Sequence, residues 1–69
     1  MRKINKEVFK RFLREHGESV SSFSIDINIS RDTLNNWINR DGNIPVWKCE
    51  IIEDYFREKY GECPADLFR

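Results

Sequence analysis

The stretch "SFSIDINIS", residues 22–30, decides the fold of this chain because its polar and apolar residues alternate strictly. Such alternation is typical of a half-buried β-strand. The same region also fits a helix, in which Val20, Phe23 and Ile27 lie on one face. Nothing else in the sequence alternates convincingly, so a strand would have no partner for its backbone hydrogen bonds. We therefore predict a helix that ends in a turn at Asn28.

A second short helix is predicted immediately after this turn, from Arg31 to about Asn39. Asparagine tolerates the left-handed backbone conformation that a tight turn at Asn28 requires. The hydroxyl of Ser30 can cap the new helix, and Asp32 places a negative charge in the first turn, where the helix dipole favours it. The apolar residues of this helix recur at helical spacing and are Leu34, Trp37 and Ile38.

Two further helices and a short C-terminal turn complete the predicted fold. The first helix is capped by Asn5 and stopped by Gly17. The longest helix runs from Pro45 to Tyr60. Its predicted apolar stripe begins at Trp47 or Lys48 and continues with Ile51, Ile52, Tyr55, Phe56 and Tyr60, with Cys49 close to that face. Residues 62–69 are expected to add one turn that folds back onto the core. The prediction is a single all-α domain over residues 1–69, a compact bundle of about five short helices.

The charge is balanced over the chain but unevenly distributed. There are 12 basic and 12 acidic residues, so the formal net charge is zero. Residues 1–14 carry six bases against one acid, whereas residues 50–69 carry six acids against three bases. One end of the protein can therefore face a polyanion while the other repels it. Two ordinary solvated helix faces of opposite sign would explain the same pattern.

Several classes of function find no support in the residues. No nucleophile–base pair or phosphate-cradling glycine loop is present, so we do not expect an enzyme. Cys49 and Cys63 form neither a metal motif nor a disulfide framework, and His16 is the only histidine, so no metal site is expected. We find no signal-like or membrane-length apolar run. We expect a cytoplasmic protein with reduced thiols.

Two parts of the chain resemble Cro/CI-type phage and prophage regulators. The run "NISRDTLNNWIN", residues 28–39, is similar to their "G-V-S-x-x-x-[hydrophobic]-x-x-W-[hydrophobic]-x" pattern, with Asn28 in place of glycine. "IPVWKCEIIEDY" from Ile44, followed by Gly61 and "DLFR", resembles the tail of Cro-like and YdaS-like proteins. The likeness covers about three quarters of the chain. It implies a lambda-repressor-like fold that contains a helix-turn-helix, with the small Ser24 where the two helices touch.

The resemblance implies that the second helix of this motif enters the major groove of DNA. Successive residues of a helix are rotated by about 100° around its axis. With Leu34 at the centre of the buried face, several polar side chains therefore point outward. The candidate base-reading residues are Ser30, Arg31, Asp32, Asn35, Asn36 and Asn39. Asparagine can bond bidentately to adenine and arginine to guanine, whereas Asp32 can accept from cytosine or serve only the helix dipole. A plain solvated helix face is the alternative for the asparagines.

Contacts to the DNA backbone and to a second subunit are assigned to other residues. Hydroxyls and free N–H groups at the start of the first motif helix can hold a phosphate. The resemblance implies a further contact from Lys48, which matches the family's basic position in the first turn after Pro45, and Arg40 is another candidate. The candidate phosphate contacts are Ser19, Ser21, Ser22, Arg40 and Lys48. An exposed aromatic residue in so small a protein suggests a subunit contact, which we place near Trp47 and Phe68.

The predicted function is therefore a sequence-specific DNA-binding transcriptional regulator, a Cro-like repressor that occupies a palindromic operator in double-stranded DNA. One subunit reads few base pairs, so we expect a homodimer, at least on DNA. No cofactor, small-molecule ligand or membrane is expected to take part. The alternative is an antirepressor-like protein-interaction module that keeps the fold without specific DNA binding. The neutral net charge and the acidic C-terminal third favour that alternative.

Overall fold

The computed structural model describes all 69 residues, and its regular elements are four helices, with no β-strand. The four helices are α1 (Lys6–Glu15), α2 (Val20–Ile27), α3 (Arg31–Asn39) and α4 (Val46–Tyr60). The all-α prediction is confirmed, but a fifth helix is absent. After Gly61, residues 62–69 form a turn that returns to the core, where Leu67 is only 1% exposed. None of the four helices combines the length and the apolar character needed to cross a bilayer.

The decisive segment is helical and ends as predicted. The Ser19 hydroxyl caps α2 by accepting from the Ser22 backbone N–H at 3.1 Å. Asn28 closes the helix in the left-handed conformation, with φ 57° and ψ 43°. The alternating pattern arises because Ile25, an apolar residue in the middle of α2, is 78% exposed. Its side chain lies on the solvent side of a helix whose buried face is formed by Phe23 and Ser24.

The other helix boundaries follow local chemistry. The Asn5 side chain caps α1 by accepting from Val8 N, and Gly17 (φ 69°) ends the turn after it. Pro45 precedes α4 with φ −56°, a value its ring enforces, and Gly61 (φ 79°) ends that helix. The sequence therefore marks helix ends reliably where a cap, a proline or a glycine is present.

The stripe predicted for α4 needs one correction. The residues that α4 buries are Cys49, Ile52 and Phe56, which recur at i, i+3 and i+7. Ile51 lies about 100° around the helix from Ile52 and is 45% exposed. Cys49 is buried, and burial raises the pKa of its thiol. It therefore serves as a small core residue.

The two termini and the loop before α4 pair with one another, which the sequence did not reveal. Arg2 and Ile44 exchange two backbone hydrogen bonds of 3.0 and 2.7 Å in an isolated antiparallel bridge. A second bridge joins Ile4 to Phe68. Ile4 (1% exposed) and Ile44 (0%) thereby enter the core, although neither belongs to a helix. These contacts close the bundle from one end.

A polar cluster joins α4 to α2 and to the turn before α2. Lys59 Nζ donates to Asp26 Oδ2 at 2.7 Å and to Glu18 Oε1 at 3.2 Å. The Tyr55 hydroxyl donates to the same Asp26 oxygen at 2.8 Å. The hydrogen bond from Lys59, followed by that from Tyr55, lowers the pKa of Asp26 below its ordinary 3.8. The hydrogen bond to Asp26 in turn raises the pKa of Lys59 above its ordinary 10.5.

This cluster should make stability fall at both ends of the pH range. The pKa of Asp26 is lower in the folded state, so its contribution is present above about pH 3.8 and is lost as the pH falls through the folded value. The pKa of Lys59 is higher in the folded state, so its contribution is complete below about pH 10.5 and is lost at higher pH. Urea unfolding of the wild type and of Lys59→Gln across pH 2–11 measures the loss of stability at low pH and at high pH. Parallel curves for the two proteins would contradict the assignment.

Candidate nucleic-acid interface

The surface of interest is the outer face of α3. Only three residues, Asn28 to Ser30, separate α2 from α3, and the close packing of the two helices fixes their relative position. Leu34, Trp37 and Ile38 hold α3 on the core with exposures of 0, 4 and 5%. The opposite side of the helix is left to solvent.

The outer face of α3 forms a shallow depression with an exclusively polar lining. Its lining residues are Asp32, Asn35, Asn36, Asn39 and Arg40. All five are exposed, as is Arg31 at the start of the helix. None of these six side chains takes part in an intramolecular hydrogen bond or ion pair. The face therefore presents amide, guanidinium and carboxylate groups whose donors and acceptors are all available to a partner.

Ser30 is the one predicted base reader whose polar group is already engaged. Its hydroxyl caps α3 by accepting from the Thr33 backbone N–H at 3.2 Å. It also shares a hydrogen bond of 2.7 Å with the Thr33 hydroxyl. Because the cap helps to hold α3 in place, Ser30 contributes to the position of the readers more directly than to reading itself.

Two of the three predicted phosphate contacts at the start of α2 are also engaged within the protein, through their hydroxyls. The Ser19 hydroxyl is the cap of α2, and Ser21 is half-buried. The Ser22 hydroxyl donates to Glu18 Oε1 at 3.4 Å, so a carboxylate occupies the place that a phosphate would need. The Glu18 side chain is only 4% exposed and pairs with Lys59. A phosphate contact through Ser22 would have to displace this interaction.

The basic residues that flank α3 are better placed than these serines. Arg40 follows the last residue of α3 and borders the polar depression. Lys48 lies in the first turn of α4, with Nζ 5.6 Å from the Trp37 ring centroid and 5.3 Å from that of Trp47. The ammonium thus lies within cation–π distance of two indoles, one on α3 and one on α4. A groove between the start of α1 and the end of α3 also brings Lys6 to the same side as Asn39.

The two residues assigned to a subunit contact differ in their environment. Trp47 is 60% exposed and shares the first turns of α4 with Val46 (51%) and Ile51 (45%). Phe68 is only 6% exposed, and the Arg2 guanidinium lies 5.2 Å above its ring. The placement of Phe68 at a subunit surface is therefore wrong. Its side chain closes the core because the chain terminus pairs with residue 4.

Sequence reasoning missed one residue that touches the candidate readers. The backbone N–H of Gly42, in the loop after α3, donates to the Asn36 carbonyl at 3.1 Å. No pattern in the sequence indicates this contact, because it depends on the path of the loop after α3. The chain has no group of three or more His, Cys, Asp or Glu residues arranged to hold a metal ion.

Comparison with protein-family models, with curated proteins and with solved structures finds no significant match to this chain.

Proposed function

We propose that this protein is a Cro-like, sequence-specific DNA-binding transcriptional regulator, in which α2 and α3 form a helix-turn-helix and α3 enters the major groove. The observation that carries the proposal is the polar outer face of α3, whose six side chains have no partner within the protein. An α-helix with its side chains is about 10–12 Å in diameter, which suits a major groove about 12 Å wide.

Direct reading of bases falls to the amide and guanidinium side chains on this face. Asn35, Asn36 and Asn39 can each donate to and accept from one adenine, and Arg31 can bond bidentately to guanine. Asp32 lies in the first turn of α3, where the positive end of the helix dipole stabilises it, and it can accept from a cytosine amino group. Arg40 and Lys48 supply phosphate contacts on either side, which fix the register of α3 in the groove.

The regulator acts as a homodimer on DNA and represses by occupying a promoter, without a cofactor, in the cytoplasm. One copy of α3 spans only a few base pairs, so useful affinity needs two copies about one helical turn, roughly 34 Å, apart on an approximate palindrome. The exposed apolar side chains of Val46, Trp47 and Ile51 supply a surface for contact between the copies.

A protein-interaction module is the second candidate, and the same apolar surface supports it. Trp47 and Ile51 lie on a helix whose exposed side chains include the acidic Glu50, Asp54 and Glu58. An aromatic anchor inside an acidic rim suits a basic protein surface as well as a second copy of this chain. In that case the protein would not retain DNA at any salt concentration.

The deciding measurement is the binding of mixed-sequence duplex DNA across a salt series. A DNA-binding protein should retain duplex DNA at low salt, and log K should fall linearly with log salt by about 0.9 for each phosphate neutralised. Lys48→Ala should lower this slope by about one and weaken all sequences alike. No retention at 50 mM salt or below would reject DNA binding and leave the interaction module.

Arg57→Ala is the matched control for Lys48→Ala. It removes one positive charge from the same helix, but Arg57 pairs with Asp54 (3.2 Å) and Glu53 (4.0 Å). We therefore expect it to leave the salt slope unchanged. Equal slopes for the two variants would remove Lys48 from the phosphate contacts, and circular dichroism confirms that both remain folded.

A further inference from the structure

We propose that Gly42 is a positioning residue for base readout: the absence of a Cβ at Gly42 holds the Asn36 amide in the orientation in which it meets DNA. This inference rests on the proposed function and adds a residue outside α3 to the reading apparatus. Gly42 itself touches no base.

The first observation is steric. A Cβ atom at Gly42 would lie 2.5 Å from Asn36 Nδ2, 3.2 Å from Asn36 Cγ and 3.2 Å from Trp37 Cδ1. Trp37 is only 4% exposed and lies in the close-packed core, where a contact of 3.2 Å needs a shift of only a few tenths of an ångström. The overlap at 2.5 Å falls on the exposed Asn36 side chain, which is free to rotate. A methyl group at position 42 must therefore rotate the amide of Asn36.

The second observation excludes the usual reason for a glycine. Gly17 and Gly61 have φ values of 69° and 79°, in the region that other residues rarely adopt. Gly42 is not among the residues with positive φ, whereas the preceding Asp41 is, at 57°. A left-handed backbone is thus not the reason for glycine at position 42. What the site requires of glycine is the space beside Asn36.

The third observation is that the loop containing Gly42 is held from both sides. Towards α3, the N–H groups of Gly42 and Arg40 both donate to the Asn36 carbonyl, at 3.1 and 3.0 Å. Towards the termini, Lys3 Nζ donates to the Asp41 carbonyl at 2.8 Å, and the Asp41 carboxylate pairs with Arg69. The loop cannot withdraw from Asn36 without breaking these contacts.

The consequence concerns the orientation of one amide. The terminal torsion of asparagine is broad and nearly two-fold, so a free amide samples many orientations. A bidentate bond to adenine needs a single one. The Gly42 backbone on one side of the Asn36 amide limits the orientations of that amide in the free protein. Less conformational entropy is then lost on binding, which strengthens the complex without a new contact to DNA.

A double-mutant cycle tests this inference on an operator selected from a random duplex pool. Asn36→Ala should weaken binding to the selected operator by about 5- to 150-fold, the range for one bidentate pair. Gly42→Ala should weaken it by about fivefold or more and relax preference at the same base position. In the Asn36→Ala background, Gly42→Ala should change affinity by less than twofold, because the clashing amide is gone. Asn43→Ala, at an exposed neighbour in the same loop, should bind like the wild type.

Three results would overturn the inference. One is wild-type affinity and base preference for Gly42→Ala. Another is an equal loss from Gly42→Ala in both backgrounds, which would indicate a general disturbance of the loop. The third is wild-type binding by Asn36→Ala, which would reject the assignment of Asn36 as a reader and leave the salt-dependent DNA binding intact.

The contact can also be measured without DNA. Nuclear Overhauser effects should connect the Gly42 α-protons to the Asn36 side-chain amide, and Gly42→Ala should shift the resonances of that amide. If Gly42→Ala lowers the melting temperature strongly, adding Asn36→Ala should restore it, because the smaller side chain removes the overlap. Absence of both the cross-peaks and the restoration would refute the packing of Asn36 against Gly42.

Discussion

Phe56→Ala is expected to lower the free energy of unfolding by about 3–5 kcal/mol, the largest effect of any substitution considered for this chain. Phe56 is fully buried on α4. Its ring centroid lies 4.8 Å from that of Phe12, 5.4 Å from that of Phe23 and 6.0 Å from that of Phe9. The ring thereby joins α4 to both α1 and α2, so its removal leaves a cavity that no single helix can fill.

The total stability of so small a domain makes this effect easy to detect. Domains of this length rarely gain more than about 3–5 kcal/mol from their hydrophobic core. The variant should therefore be largely unfolded without urea, as followed by circular dichroism. Ile51→Ala on the same helix is the matched control. Ile51 is 45% exposed, and we expect a change of about 0.5–1 kcal/mol. Similar losses for the two variants would contradict the assignment of the buried face of α4.

The helices were predictable because their ends and their buried faces are encoded locally. Ser19 and Ser30 cap α2 and α3, and Asn28 turns the chain between them with a positive φ. The alternation over residues 22–30 pointed to a strand, and the missing partner strand favoured a helix instead. The exposure of Ile25 shows that one apolar surface residue was enough to create the misleading pattern.

The contacts between distant parts of the chain were not predictable in this way. The bridges from Arg2 to Ile44 and from Ile4 to Phe68 join residues 42 and 64 positions apart. Nothing in the local sequence indicates which segments will meet, since such pairings depend on the path of the whole chain. The pairing of Phe68 with Ile4 was not predicted for this reason. The same limit hid the contact between Gly42 and Asn36.

Part of the candidate site was predictable from the sequence, and part of it was not. The outward direction of Asn36 and Asn39 follows from the helical period and the position of Leu34, and the exposure of both asparagines agrees with it. Whether a serine hydroxyl caps a helix or is free to contact a phosphate does not follow from the helical period. Serine is both a preferred cap and a possible phosphate donor; the Ser30 cap was predicted, whereas only the structure reveals that Ser19 is used as a cap.

Asn36→Ala is expected to weaken binding to the selected operator by about 1–3 kcal/mol and to relax preference at one base position. Asn36 is exposed in the centre of the polar depression, and its side chain bonds to nothing within the protein. Competition binding against duplexes changed at each position in turn measures the preference. An equal loss on operator and random DNA would mean that Asn36 does not read a base.

The same substitution should stabilise the fold, which separates reading from folding. Alanine is a better helix former than asparagine by roughly 0.6 kcal/mol, and the two hydrogen bonds to residue 36 in the closure of α3 use only its backbone carbonyl. Urea unfolding should therefore give a slightly higher free energy of unfolding for Asn36→Ala, while operator binding falls. Three asparagines on the outer half of one short helix lower its stability together, and a discrimination of about 1–3 kcal/mol at each adenine they read outweighs that loss. If Asn36→Ala raises stability and leaves operator binding unchanged, the asparagines of α3 form only a solvated surface.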